Sequence, residues 1–307
     1  MNTTKSVYKG RFAPSPTGAL HFGSLIAAVS SYLQAKSQQG QWLIRIEDVD
    51  KTREIPGSAE HILSTLDSLG FEWDDTVIYQ SQQTELYEYY LHTLISKGLV
   101  YACDCSRSKL KQSATKAGIY PGYCRDKKRS LTSPYALRCQ VSSDTVNIND
   151  QIQGALCVNL ADNCGDFVIK RRDQFFAYQL AVVADDHSQG ITDIIRGADL
   201  LPSTPIQIYL QQQLEFSTPH YGHIPVAMHA HGQKLSKSHQ DLSLHEHDAV
   251  ETLHQALLFL DQSPPEDLAH SSQSEFWQWA IQNWDIKRIS RQREKVFALD
   301  LSLGGTL

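Results

Sequence analysis

Two groups of residues in this chain could do phosphate chemistry, and they lie more than two hundred positions apart. His21-Phe22-Gly23-Ser24 follows Arg11-Phe12-Ala13-Pro14-Ser15-Pro16-Thr17-Gly18, and Lys234-Leu235-Ser236-Lys237-Ser238 comes late. An imidazole at a strand-to-helix turn, next to a residue without a side chain, lets a phosphate approach the N–H groups at the start of the helix, where the helix dipole favours negative charge. His21 and Gly23 could hold an α-phosphate in this way, with Ser24 opening the helix. Lys234 and Lys237, in a small and polar segment, could neutralise departing β- and γ-phosphates. Alone, the first group reads as an ordinary turn and the second as a solvated loop. Together, in this order, they imply cleavage of ATP between its α- and β-phosphates. No Walker-type Gly-x4-Gly-Lys-[Ser/Thr] pattern is present, which argues against a P-loop enzyme.

The elements that must position these residues follow from periodicity. Residues 8–13 read as a buried strand ended by Pro14 and Pro16, residues 24–35 as a helix, residues 42–46 as a second strand that delivers Glu47, and residues 58–69 as a second helix closed by Gly70. Alternating strand and helix predicts a parallel sheet, with ligands at the carboxyl ends of the strands, where His21 and Glu47 fall. Residues 87–97 read as a helix, 135–141 and 168–171 as strands of an insertion, and 204–213 as a helix. The α/β pattern resumes at 179–184 and runs through 191–196. Two or three helices (249–260, 273–284) and a polar tail complete the chain. The expected organisation is 1–98 as the first half of a Rossmann-like catalytic domain, 99–175 as an insertion, 176–240 as its second half, and 241–307 as a short helical region.

The chain has 307 residues, 41% hydrophobic and 20% charged, with a net charge of −6 and six cysteines. That composition is ordinary for a globular protein, and the negative balance argues against a nonspecific nucleic-acid binder. No run of about 18 apolar residues occurs, so no membrane span is expected. The N-terminus has no signal-peptide core, so a cytoplasmic location with reduced cysteines is expected. One segment is strongly basic: Arg107, Lys109, Lys111, Lys116, Arg125, Lys127, Lys128 and Arg129 face only Asp104 and Asp126. It reads either as a solvated loop or as a surface that contacts phosphates. Cys103-x-Cys105, Tyr120 and Cys124 within it read either as a zinc site of three thiolates and a phenolate or as free cysteines beside a packing tyrosine. Cys139, Cys157 and Cys164 are unmatched. His229, His231, His239, His245, His247 and His254 fit no strong ligand template.

The stretches 10–18, Arg45-Ile46-Glu47-Asp48-Val49-Asp50, Ile194-Ile195-Arg196-Gly197 with Ser203-Thr204-Pro205, and 234–238 resemble the class I aminoacyl-tRNA synthetases of the glutamyl type. More narrowly, His21-Phe22-Gly23-Ser24, the stretch Val182–Gly190 and the short chain beyond the lysine motif resemble their short paralogues. Gly197-Ala198-Asp199-Leu200 departs from the Gly-Glu-Asp-His of the glutamyl enzymes and agrees with a paralogue. The resemblance implies activation of L-glutamate by ATP and Mg2+ without tRNA, then transfer of glutamate to queuosine at the wobble position of tRNA(Asp). A truncated glutamyl enzyme charging an acceptor end is the rival. It also implies that Arg11 takes the side-chain carboxylate, Arg196 lies near the α-carboxylate, Glu47 holds the ammonium, Tyr178 adds a hydroxyl and an aromatic wall, and Phe12, Ala13, Pro14 and Ser15 line the site. Cys103, Cys105, Tyr120 and Cys124 would hold one structural Zn2+, the anticodon loop of tRNA(Asp) would be the partner, and the protein would be a monomer.

Overall fold

The computed structural model describes residues 7–106, 108, 110, 119–132, 134–229 and 249–297. Its centre is a set of short parallel strands. β1 (Lys9–Phe12) pairs with β2 (Gln41–Ile46), and β2 pairs with β3 (Ile78–Tyr79). Helix α1 (Phe22–Ser37) makes the crossover from β1 to β2, and α2 (Ser58–Ser68) lies between β2 and β3. The apolar sequence of β2 (Gln-Trp-Leu-Ile-Arg-Ile) is buried from Trp42 onward, as expected of a strand covered on both faces.

Helix α3 (Thr84–Ser96) leads into an antiparallel sheet of β4 (Val100–Cys103), β5 (Ala136–Cys139) and β8 (Phe167–Lys170), in the order β4-β5-β8. Between β5 and β8 sit the hairpin of β6 (Thr145–Asp150) and β7 (Gly154–Asn159) and the short helix α4 (Leu160–Asn163). Burial along β6 alternates strictly, with Val146, Ile148 and Asp150 inward. The central layer resumes with α5 (Tyr178–Ser188), then β9 (Asp193–Gly197), α6 (Thr204–Gln213) and β10 (His220–Ile224), with β9 and β10 parallel. β9 runs beside β1, tied by Thr192 N–H to the Lys9 carbonyl at 2.9 Å. The hairpin covers the outer side of β10, and Gln151 N–H donates to the Tyr221 carbonyl at 2.8 Å.

Beyond residue 248, α7 (Ala249–Phe259) and α8 (Gln273–Asn283) pack on α1. A Ser272/Glu275 capping box starts α8. The stretch expected as a polar tail is partly a strand: β12 (Glu294–Val296) returns to pair in parallel with β11 (Val226–Met228). The reason is apolar. Phe297 stacks on Phe22 at a centroid distance of 4.0 Å, and Phe259 meets Phe22 edge-on at 6.2 Å. The aromatic that follows His21 is thus a core anchor for the helix start. No helix among the described residues is long and apolar enough to cross a membrane.

Trp277 on α8 joins the terminal helices to α1 and to the end of α2. Its ring meets Tyr32 and Phe71 edge-on at 4.8 Å each, and its Nε1–H donates to the Leu69 carbonyl at 3.0 Å. Trp277→Ala should cost ~3–5 kcal/mol, the usual range for removing a buried aromatic. Urea unfolding followed by circular dichroism should show one transition shifted as a unit.

Candidate active site

The carboxyl ends of β1, β2 and β9 converge on one pocket of ≈ 170 Å3. Each strand delivers one charged side chain to it: Arg11 from β1, Glu47 just past β2, and Arg196 from β9. Phe12, Ala13, His21, Gly23 and Tyr178 also line it. The two guanidinium residues are buried, with Arg11 3% and Arg196 4% exposed.

The Pro14–Gly18 loop is fixed from two sides. Glu47 N–H donates to the Pro14 carbonyl at 2.9 Å, and Ile55 N–H to that of Pro16 at 2.9 Å. Ser58 Oγ bridges Gly18, accepting from its N–H at 2.9 Å and donating to its carbonyl at 2.7 Å. Gly18 has φ = 132°, in the region that favours glycine. This clamp sets the entry to α1, which His21 caps. Its Nδ1 accepts from Ser24 N–H at 3.2 Å, and Nε2 lies 3.0 Å from Ser24 Oγ. Of the expected residues, Ser15 lines the neighbouring cleft, while Pro14 and Ser24 act through these bonds. Lys234 and Lys237 lie outside the described residues.

Behind the pocket is a buried ionic network that residue patterns do not reveal. Arg45 on β2 is 0% exposed. Its Nη1 donates to Asp186 Oδ1 at 2.8 Å and to Gln189 Oε1 at 2.6 Å, and its Nη2 to Glu47 Oε1 at 3.5 Å. Asp185 lies 3.6 Å from Arg45 Nε and accepts from Tyr87 Oη and Gln80 Nε2. Asp186 Oδ1 also accepts from Arg11 Nε at 3.1 Å. That bond occupies the inner edge of Arg11 and leaves its two terminal amino groups without a hydrogen bond to a described residue. Burial pushes the Glu47 carboxyl up to about 7, against the pull of Arg45 and Arg11. Burial likewise pushes Asp185 up to about 6, opposed by Arg45. Asp186, touched by two guanidinium groups, stays below the ordinary carboxylate value despite its burial.

A second cleft, of ≈ 840 Å3, shares Glu47 and Tyr178 with the pocket. It runs past Asp50, Arg53, Arg171 and Arg172 to Cys103 and Cys105. The sulfurs of Cys103, Cys105 and Cys124 lie within 4.8 Å of one another. Tyr120 Oη is 3.5 Å from Cys103 Sγ and 3.7 Å from Cys105 Sγ, and the sulfurs of Cys105 and Cys124 are 3.7 Å apart. A tetrahedral Zn2+ with ordinary bond lengths needs edges of about 3.8 Å between sulfurs and about 3.5 Å from sulfur to oxygen. These three edges have that size, and the other two edges between sulfurs lie within 4.8 Å. Cys139, Cys157 and Cys164 lie outside the cluster. Asp104 anchors part of the basic segment, pairing with Arg129 at 2.6 Å and Lys127 at 3.6 Å. Arg107, Lys109, Lys111 and Lys116 lie outside the described residues, as do His231, His239, His245 and His247.

A family model described as the catalytic domain of class I tRNA synthetases (E and Q) matches residues 8–260. Glutamyl-Q tRNA(Asp) synthetases of Pseudomonas paraeruginosa and Dechloromonas aromatica are each 48% identical to the chain, over 94% of it and 97% of each relative. The chain belongs to the glutamyl-Q branch of the class I tRNA synthetases. The glutamate-tRNA synthetase of Elizabethkingia anophelis shares the fold with a TM-score of 0.81 at 24% identity, covering 96% of this chain and 69% of that one. A glutamate tRNA ligase from Elizabethkingia meningosepticum, solved in complex with its amino acid, gives 0.79 at 25% identity, covering 95% and 67%. The class I catalytic-domain fold accounts for the parallel strands, and the cysteine cluster adds a donor set able to hold zinc.

Arg45→Met should destabilise the fold by ~3–5 kcal/mol at pH 8, because it strands buried carboxylates without their cation. Asp185 already titrates above its unfolded value of about 3.9, so the fold binds that proton more tightly and acid favours it. The penalty should therefore shrink at pH 5.5, where the stranded carboxyls can take up protons. Urea titrations at the two pH values check both the size and the sign.

Proposed function

We propose that the chain activates L-glutamate with ATP and transfers it to queuosine in the anticodon loop of tRNA(Asp). The observation that carries this reading is the charge pattern of the small pocket: two buried guanidinium groups and the enclosed carboxylate of Glu47 around ≈ 170 Å3, with a second carboxylate of the lining, Asp199, exposed to solvent. A dicarboxylic amino acid has the complementary pattern of two anions and one cation. The terminal amino groups of Arg11 would grip the side-chain carboxylate as a fork, which a lysine could not reproduce. Arg196 and Tyr178 would hold the α-carboxylate. Glu47, with its carboxyl near 7, would ionise fully against the ammonium group.

Activation needs in-line attack of the α-carboxylate on the α-phosphate of ATP, with pyrophosphate leaving. No residue need form a covalent bond. His21 at the α1 start would support the charge that builds on the α-phosphate, and Lys234 and Lys237 that on the leaving group. Mg2+ would accompany the nucleotide. Cys103, Cys105, Tyr120 and Cys124 would hold a structural Zn2+ that fixes the basic segment. The ≈ 840 Å3 cleft supports a tRNA acceptor, because it opens from Glu47 and Tyr178 and is rimmed by Arg53, Arg171 and Arg172. A nucleobase entering there would bring its hydroxyl to the mixed anhydride.

The acceptor is tested with labelled glutamate and two preparations of tRNA(Asp), one bearing queuosine and one bearing guanosine at the wobble position. Label should enter only the queuosine-bearing tRNA, and nuclease digestion should place it on the anticodon fragment. Equal charging of both, with label on the terminal adenosine, would establish the acceptor-end reaction instead.

A further inference from the structure

On the far side of the pocket from Arg45, a buried imidazole and a buried carboxylate stand in line behind Arg196. His223 on β10 and Asp150 at the end of β6 both have side chains that are 0% exposed. Arg196 Nε–H donates to His223 Nε2 at 3.0 Å. Thr204 Oγ1 lies 3.2 Å from the same nitrogen and accepts from Arg196 Nη2 at 2.9 Å, so its own hydrogen is free to turn toward the ring. A guanidinium has no acceptor. His223 Nε2 must therefore present its lone pair, and the ring proton must sit on Nδ1, which faces Asp150 Oδ2 at 2.5 Å. The other carboxylate oxygen, Oδ1, is taken by three backbone N–H groups: Ile152 at 3.0 Å, Gln153 at 2.8 Å and His223 at 3.1 Å. The Tyr221 ring lies parallel to the imidazole at 6.1 Å. Burial and the charge of Arg196 hold His223 below its ordinary pKa, against the pull of Asp150, which keeps the ring neutral.

We propose that Asp150 and His223 are positioning residues: the hairpin carboxylate fixes the imidazole tautomer, and the tautomer fixes Arg196 in the pocket. The inference rests on the reading of Arg196 as a glutamate-binding residue. It gives the β6–β7 hairpin, which itself lines no part of the pocket, a direct hold on substrate affinity. The line of bonds runs from the hairpin turn through β10 to β9. It matters because Arg196 Nη1 has only a long 3.4 Å contact to Tyr178 Oη. Without the acceptor at Nε, the angle of the guanidinium plane would rest on Thr204, the long contact to Tyr178 and the Tyr221 ring 5.3 Å from Arg196 Cζ.

The arrangement makes Asp150→Asn an atom-specific test. The three N–H groups at Oδ1 orient the amide with its oxygen there, which places its NH2 against His223 Nδ1. The ring must then accept at Nδ1 and carry its proton on Nε2, where that proton confronts Arg196 Nε–H. Nitrogen NMR of protein labelled in its histidine rings, with the signal assigned by its loss in His223→Gln, should show a protonated Nδ1 and a bare Nε2 in the unaltered protein. The pattern should invert in Asp150→Asn. In glutamate-dependent pyrophosphate exchange, KM for glutamate should rise roughly 10- to 100-fold, the loss of one hydrogen bond to a charged group, with KM for ATP unchanged.

A protonated Nε2 in the unaltered protein would overturn the proposal and needs no variant to observe. So would an inverted tautomer with unaltered glutamate KM while Arg196→Lys raises it, a result that leaves the reading of Arg196 standing. If Arg196→Lys itself leaves the KM for glutamate unaltered, that reading falls and the positioning role with it.

Discussion

The buried guanidinium of Arg45 is the constraint from which the site follows. A fully buried cation must be paired and hydrogen-bonded, since its desolvation otherwise costs several kcal/mol. Here the pairing draws in Asp185, Asp186 and Glu47 from two different elements. Asp186 in turn holds Arg11 on the adjacent strand. One buried charge thus fixes the spacing of β1, β2 and α5, and orients two of the three charged groups that the strand ends bring to the pocket.

The third group is held by a parallel device. Arg11 has its Nε tied directly to a buried carboxylate, and Arg196 has its Nε tied to a buried carboxylate through an imidazole. In both, Nε is occupied; the terminal amino groups of Arg11 make no hydrogen bond to a described residue, whereas those of Arg196 reach Thr204 at 2.9 Å and Tyr178 at 3.4 Å. Fixed guanidinium planes suit a rigid, bidentate match to carboxylates, whereas a lysine ammonium would rotate freely. Burial raises the Glu47 carboxyl to about 7, against the pull of Arg45 and Arg11. The site is organised for charge recognition before any ligand arrives, which is the form of catalysis expected where no covalent intermediate is made.

Much of this was legible in the sequence. The strands and helices on either side of Pro14–Gly18 follow from periodicity, and the position of Arg11, Glu47 and His21 at strand ends follows from them. Tyr178 and Arg196 came from the family resemblance, and the structure brings all five into one pocket. What could not be read were the partners that hold these residues. Arg11 and Asp186 are 175 positions apart, and Asp150 and His223 are 73 apart. No local pattern reports such pairings, and a buried polar residue inside a strand looks like a packing exception. The Asp185-Asp186 pair did stand in a stretch recognised for its resemblance, without a role. The return of residues 294–296 as a strand was hidden for a similar reason: the segment is polar by composition, and Phe22 and Phe259, far away in the chain, decide where Phe297 packs.

The central claim is that the pocket is preset for a dicarboxylic amino acid by groups of this chain alone. Exchange of labelled pyrophosphate into ATP, measured with the purified protein in the absence of any tRNA, tests it most directly. The account requires exchange with L-glutamate and none above background with L-glutamine, whose neutral amide gives the Arg11 fork no anion. Exchange supported equally by glutamine, or exchange that appears only when tRNA is added, would contradict it.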